Sequence, residues 1–147
     1  MVKTQVCGIL AGERINEIDR NVFKESSRIN STFGGNIVDM YRFKLILEVI
    51  ERNQLADEAA KMGQYLLNKL HAFQEKHGDK VSQARGLGLM CAFDLPDKKT
   101  RDQFLEDTEA NGLLLLGCGV SSIRFRPHLI VNQEEIDFAF DLMEKSI

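Results

Sequence analysis

The chain has 147 residues, which is a usual length for one domain. Hydrophobic residues make up 44% of it and charged residues 28%, a balance that permits a packed core and argues against disorder. The net charge of −3 gives no electrostatic reason to expect nucleic acid or an anionic membrane as a partner. No apolar run approaches the roughly 18–20 residues that cross a bilayer, and the N-terminus lacks the layout of a secretory signal. These features predict a cytoplasmic protein.

Side chains that bind metals are few and far apart in this sequence. They are three cysteines and three histidines: Cys7, Cys91, Cys118, His71, His77 and His128. No two of them have the spacing of metal ligands, and an odd, sparse set of cysteines does not form a disulfide framework. We therefore expect no metal site.

The first fifty residues contain one predicted strand and one predicted helix. Residues 4–11 are apolar and partly β-branched, as in a strand. Residues 24–35 are predicted to be a loop ending in Gly34 and Gly35. A helix is predicted over residues 36–51, with apolar side chains around more than one side, so it needs cover on several faces.

A second helix is predicted from Leu55, because apolar residues recur at three- and four-residue steps as far as Phe73. Gly78 is well placed to end it. Beyond it the sequence predicts three strands, over residues 87–95, 113–116 and 122–125. Two further helices are predicted to begin at capping boxes, one of Thr100 with Gln103 and one of Asn132 with Glu135. Together these elements predict an α+β fold, with helices on one face of a sheet, from about residue 54 to the end.

The residues alone leave the chemistry open. Lys3 would ordinarily be a frayed terminal residue. Arg124 lies on a predicted strand, where an inward guanidinium normally meets an anion; a structural ion pair and an anion-binding site fit equally well. Gly34 and Gly35 could bring backbone N–H groups close to a phosphate, although glycine pairs more often only make turns.

Four segments carry a resemblance to a known family. They are KTQVCG at residues 3–8, SSRINSTFGGN at 26–36, RGLGLMCAFDLP at 85–96 and GCGVSSIRFRP at 117–127. In this order and with this spacing they resemble class III aminotransferases, and within them the lysine 6-aminotransferase type. The resemblance implies pyridoxal 5'-phosphate as cofactor and the small α/β sandwich domain of a fold-type I aminotransferase. Residues 54–147 would be that C-terminal domain. Residues 1–53 would be a strand, loop and helix of the large cofactor-binding domain.

The resemblance also implies roles for four residues. Lys3 matches the lysine that binds the cofactor aldehyde covalently and moves the proton during transamination. Thr32, assisted by Asn30, matches the threonine that contacts the phosphate of the partner subunit's cofactor. Arg124 matches an arginine that pairs with a glutamate in one half-reaction and with the carboxylate of the 2-oxo acid in the other.

The activity implied in this way is transfer of the ε-amino group of L-lysine to 2-oxoglutarate by a homodimer. The resemblance begins at about the cofactor lysine, so the chain is expected to be the C-terminal part of the enzyme and to be inactive alone. A 4-aminobutyrate aminotransferase is the alternative within the family, because its members carry a similar arginine segment. A non-catalytic remnant domain is the alternative outside it.

Overall fold

The computed structural model describes residues 8–29, 32 and 34–147. Its contacts divide the chain into two units, Met1–Arg52 and Asn53–Ile147. No helix among the described residues is long and apolar enough to span a membrane. The assignment of residues 1–53 to a larger cofactor-binding domain stays a prediction.

The first unit contains a short 3-10 helix, Glu13–Glu17, and helix α1, Ile37–Arg52. Asn21 organises the segment after the 3-10 helix: its amide donates to the carbonyls of Ile15 and Ile18, at 2.9 and 2.8 Å. Helix α1 confirms the helix predicted over residues 36–51, and none of its residues is buried. The strand predicted over residues 4–11 is wrong for residues 8–11, which form no strand; residues 4–7 lie outside the described part.

The second unit is a four-stranded antiparallel sheet with three helices. Its strands are β1 (Ser82–Leu87), β2 (Met90–Asp94), β3 (Leu116–Cys118) and β4 (Ser122–Phe125), and their order in the sheet is β1-β2-β4-β3. Its helices are α2 (Leu55–Lys76), α3 (Lys98–Ala110) and α4 (Gln133–Glu144). The predicted α+β class is confirmed.

The core forms where the apolar stripes of α2 and α4 meet one face of the sheet. Its central side chains are nearly inaccessible to solvent: Leu70, Phe73, Phe93, Ile123 and Met143. Phe93 lies in the middle, with edge-on contacts to the rings of Phe73 and Phe104 at 5.9 Å each. Burial of this aromatic and aliphatic cluster is the main force that stabilises the unit.

Three boundaries differ from the sequence predictions. The single strand predicted over residues 87–95 is a hairpin, since β1 and β2 reverse direction at Gly88, whose φ is +53°. The strand predicted over residues 113–116 begins only at Leu116. Helix α3 is capped by Asp97, whose side chain accepts from the Thr100 amide at 2.8 Å, so the predicted Thr100–Gln103 box is wrong. The Asn132–Glu135 capping box of α4 is confirmed.

Helix α2 crosses the β1–β2 hairpin at a point where neither partner has a side chain. A Cβ built on Gly63 would lie 2.2 Å from both the carbonyl carbon and the carbonyl oxygen of Gly88. Both are backbone atoms, so no side-chain rotation relieves the overlap. Gly63 is therefore required by the close approach of the helix to the hairpin.

Replacing Gly63 by alanine is expected to destabilise the protein by about 2 kcal/mol. Alanine gains about 1 kcal/mol in helix propensity, but overpacking against rigid backbone costs more than this gain. Denaturant unfolding measures the difference. The control is Gly12→Ala, where a Cβ meets nothing within 4 Å. Equal stability of the two variants would contradict the close packing of α2 on the hairpin.

Candidate functional site: the polar face of the sheet

Strand alternation divides the sheet into two faces. Cys91, Phe93, Ile123 and Phe125 point into the core. The intervening residues lie on the opposite face, which we call the polar sheet face. Its members include Arg85, Ala92, Asp94, Leu116, Cys118, Ser122 and Arg124.

Arg124 lies on β4, the third strand in the order of the sheet, and has no anionic partner among the described residues. Its in-register neighbours are Ala92 on β2 and Leu116 on β3, and neither side chain can accept a hydrogen bond. The Arg124 Nε is buried and unpaired within the part of the chain that the structure describes. An unpaired, buried guanidinium N–H is costly, so the position suits an anion supplied from elsewhere.

The neighbouring charged side chains on this face, Arg85 and Asp94, form an ion pair with each other. The Arg85 Nη2 lies 2.9 Å from Asp94 Oδ1 and 3.3 Å from Ser122 Oγ, and the Ser122 hydroxyl donates to Asp94 Oδ1 at 2.6 Å. Burial alone would raise the pKa of Asp94. The hydrogen bonds from Ser122 and Arg85 outweigh this effect and hold the pKa of Asp94 below its ordinary value. Asp94 is therefore a carboxylate at neutral pH.

The other residues that the resemblance singles out lie in the first unit. Thr32 is exposed. Lys3 and Asn30 lie outside the described residues. The use of Gly34 and Gly35 as a phosphate turn stays a prediction. At the start of α1, Asn36 Oδ1 accepts from the Val38 amide at 3.0 Å. The structure thus tests the surroundings of Arg124 and leaves the cofactor residues as predictions.

Sequence reasoning missed Arg85 and Asp94 as neighbours of Arg124. Treating residues 87–95 as one strand left Arg85 outside the sheet. A signal was present, because Ala92 and Asp94 share one face of a strand by period-two alternation and Phe93 takes the other. Arg85 could be placed on that face only once the pairing of β1 with β2 in the hairpin was known.

Comparison with known proteins identifies the family. Residues 10–147 match the family model described as Aminotransferase class-III. The chain belongs to the class-III aminotransferase family. The residues that carry the match include the whole polar sheet face.

Individual class-III relatives are similar over nearly all of the chain. It is 46% identical over 146 residues to the L-lysine-epsilon aminotransferase of Amycolatopsis lactamdurans, which covers 99% of this chain and 32% of that protein. A probable mitochondrial 4-aminobutyrate aminotransferase of Caenorhabditis elegans is 36% identical over 84% of this chain and 26% of its own length. The chain thus spans about a third of the length of the curated relatives it matches.

Solved structures agree with the fold. The lysine aminotransferase of M. tuberculosis in the internal aldimine form superposes with a TM-score of 0.90 at 42% identity, covering 98% of this chain and 33% of that one. The acetylornithine aminotransferase of Elizabethkingia anophelis gives a TM-score of 0.76 at 27% identity, over 84% of this chain and 33% of its own. The predicted fold-type I aminotransferase fold is therefore confirmed.

Proposed function

We propose that this chain is the C-terminal part of a lysine 6-aminotransferase, which transfers the ε-amino group of L-lysine to 2-oxoglutarate. The observation that carries the proposal is Arg124, a half-buried guanidinium in the Arg-Phe-Arg-Pro segment whose Nε has no partner among the described residues. The similarity to L-lysine-epsilon aminotransferases over 99% of the chain supports the choice of substrate.

Arg124 would bind the carboxylate of the oxo acid. A guanidinium offers a rigid fork of N–H donors that matches the two oxygens of a carboxylate, and charge-assisted bonds of this kind are stronger than neutral ones. Ala92 and Leu116, its in-register neighbours, offer no competing acceptor. In our proposal the arginine therefore orients the acceptor and selects for acids.

The family implies pyridoxal phosphate, which when bound supplies an electrophilic carbon and an electron sink. The exposed hydroxyl of Thr32 can donate a hydrogen bond to a phosphate oxygen, which fits the role that the resemblance gives it. Asn30 would assist Thr32, and Lys3 would hold the cofactor and move the proton at the substrate carbon. These three assignments rest on the family motif.

The choice of lysine over 4-aminobutyrate can be tested by product formation. Given pyridoxal phosphate and 2-oxoglutarate, the product of the complete reading frame is expected to form glutamate at least about ten times faster with L-lysine than with 4-aminobutyrate, a difference of about 1.4 kcal/mol. Glutamate release is the readout. A faster rate with 4-aminobutyrate would show that lysine is not the preferred amino donor, and it would leave the assignment to the family unchanged.

Further parts of the proposal concern the whole protein. We infer a cytoplasmic homodimer in which Thr32 serves the partner subunit's cofactor. A polypeptide of only these 147 residues is expected to be inactive, because about two thirds of the length of the relatives has no counterpart in it. A non-catalytic remnant remains the competing function, and absence of any transamination by the complete reading frame would favour it.

A further inference from the structure

We propose that Arg85 is a positioning residue that holds Asp94 and thereby leaves the Arg124 guanidinium available for the carboxylate of the oxo acid. The inference rests on the proposed function, because that function assigns a carboxylate ligand to Arg124. It adds a role for Arg85 and Asp94, which the family motif leaves without one.

The register places Asp94 between two competing arginines. Ala92 is opposite Arg85 on one side and opposite Arg124 on the other. Asp94 follows Ala92 by two residues on the same face, so it is a diagonal neighbour of both arginines. Diagonal neighbours across antiparallel strands lie about 7–8 Å apart, within reach of a long side chain. Either guanidinium is therefore able to reach this carboxylate.

Two features favour Arg85 in this competition. Its Nη1 donates to the carbonyl of Gln83 at 2.7 Å, which fixes the side chain over Asp94. Gln83 itself has a φ of +54°, at the irregularity in register between Ser82 and Arg85. Ser122 lies directly opposite Asp94 and donates to Asp94 Oδ1, the same oxygen that Arg85 contacts.

Arg124 has no ionic partner among the described residues, and the glutamate that the resemblance pairs with it has no counterpart in this chain. Without Arg85, Asp94 would be a carboxylate within reach of Arg124 in the half-reaction that binds the oxo acid, and the two would be expected to pair. An internal carboxylate at Arg124 competes with the carboxylate of the substrate. Arg85 would therefore act through Asp94, without touching the substrate.

The test combines kinetics and a crystal structure of the Arg85→Gln variant in the product of the complete reading frame. We expect the KM for 2-oxoglutarate to rise about five-fold at unchanged kcat, the effect of a competing ion pair worth about 1 kcal/mol. The crystal structure is expected to show Asp94 within about 4 Å of the Arg124 guanidinium. Adding Asp94→Asn should remove the competitor and return the KM to the wild-type value.

Arg85→Lys is the conservative control, because it keeps a cation beside Asp94 and should preserve the wild-type KM. A purely structural role would lower the melting temperature of Arg85→Gln with no recovery of KM on adding Asp94→Asn, and that result would overturn the inference. An Arg124 guanidinium that stays more than about 4 Å from Asp94 in the Arg85→Gln crystal would overturn it as well. If the wild-type protein has no transaminase activity, the proposed function is wrong. The crystal structure of Arg85→Gln still tests the contact between Asp94 and Arg124, because that measurement needs no activity.

Discussion

Replacing Arg124 by glutamine is expected to raise the KM for 2-oxoglutarate about 100-fold. Charge-assisted hydrogen bonds contribute about 1.5–3 kcal/mol each, and glutamine removes both the charge and the two-pronged geometry. Arg124→Lys should be nearly as damaging, because an ammonium group cannot engage both carboxylate oxygens in one plane. Steady-state kinetics with the oxo acid varied at saturating lysine measures the change.

Arg126 provides a matched control within the same segment. It is exposed and follows the end of β4, so Arg126→Gln removes an equal charge two residues away. We expect its KM to stay within about two-fold of the wild type, since exposed charges contribute little. Equal effects of the two substitutions would mean that net charge attracts the oxo acid, and would remove Arg124 from the binding site.

Replacing Lys3 by alanine is expected to reduce transamination on the order of 10³-fold. The residue would provide both the amine that holds the cofactor and the base that moves the proton, and general acid–base catalysis alone contributes about 10²–10⁴-fold. Lys3→Arg should fail as completely, because a guanidinium stays protonated at neutral pH and is no nucleophile. Glutamate formation under saturating cofactor is the measurement.

Lys44→Ala controls for loss of a lysine elsewhere. The Lys44 side chain is 68% exposed on α1, and its one ion pair within the described residues is a long one with Glu48, at 3.6 Å. The Lys44→Ala variant should retain full activity, and both Lys44→Ala and Lys3→Ala should unfold at the wild-type temperature. An active Lys3→Ala enzyme would remove this residue from the mechanism.

Local sequence patterns predicted the helices and the fold class well. Helices α2 and α4 each bury one apolar stripe, a pattern that depends only on helical periodicity, and the Asn132–Glu135 box marks the start of α4 within the sequence itself. Such signals are local. They do not depend on which strand pairs with which.

The hairpin of β1 and β2 could not be predicted from the local sequence, because it depends on tertiary contacts. Strand β1 is polar and mostly exposed at the edge of the sheet, so it lacks the apolar alternation that predicts a strand. Its position is fixed by pairing with β2 and by the approach of α2 at Gly63.

The candidate site divides in the same way. Arg124 was recognisable from the resemblance of its Arg-Phe-Arg-Pro segment to the family, whereas the residues alone left a structural ion pair and an anion-binding site equally open. Its lack of a partner among the described residues was not predictable, because the sequence does not show that Arg85 and Ser122, 37 residues apart, both bind Asp94. Competition between charges on one sheet face appears only once the register is known.

Covalent labelling by the cofactor tests the central claim most directly. The product of the complete reading frame is incubated with pyridoxal phosphate, reduced with borohydride and digested for peptide mapping. If the chain carries the cofactor lysine of an aminotransferase, one peptide should bear the label, at Lys3, with about one cofactor per subunit. No label, or label spread over many surface lysines, would contradict the account.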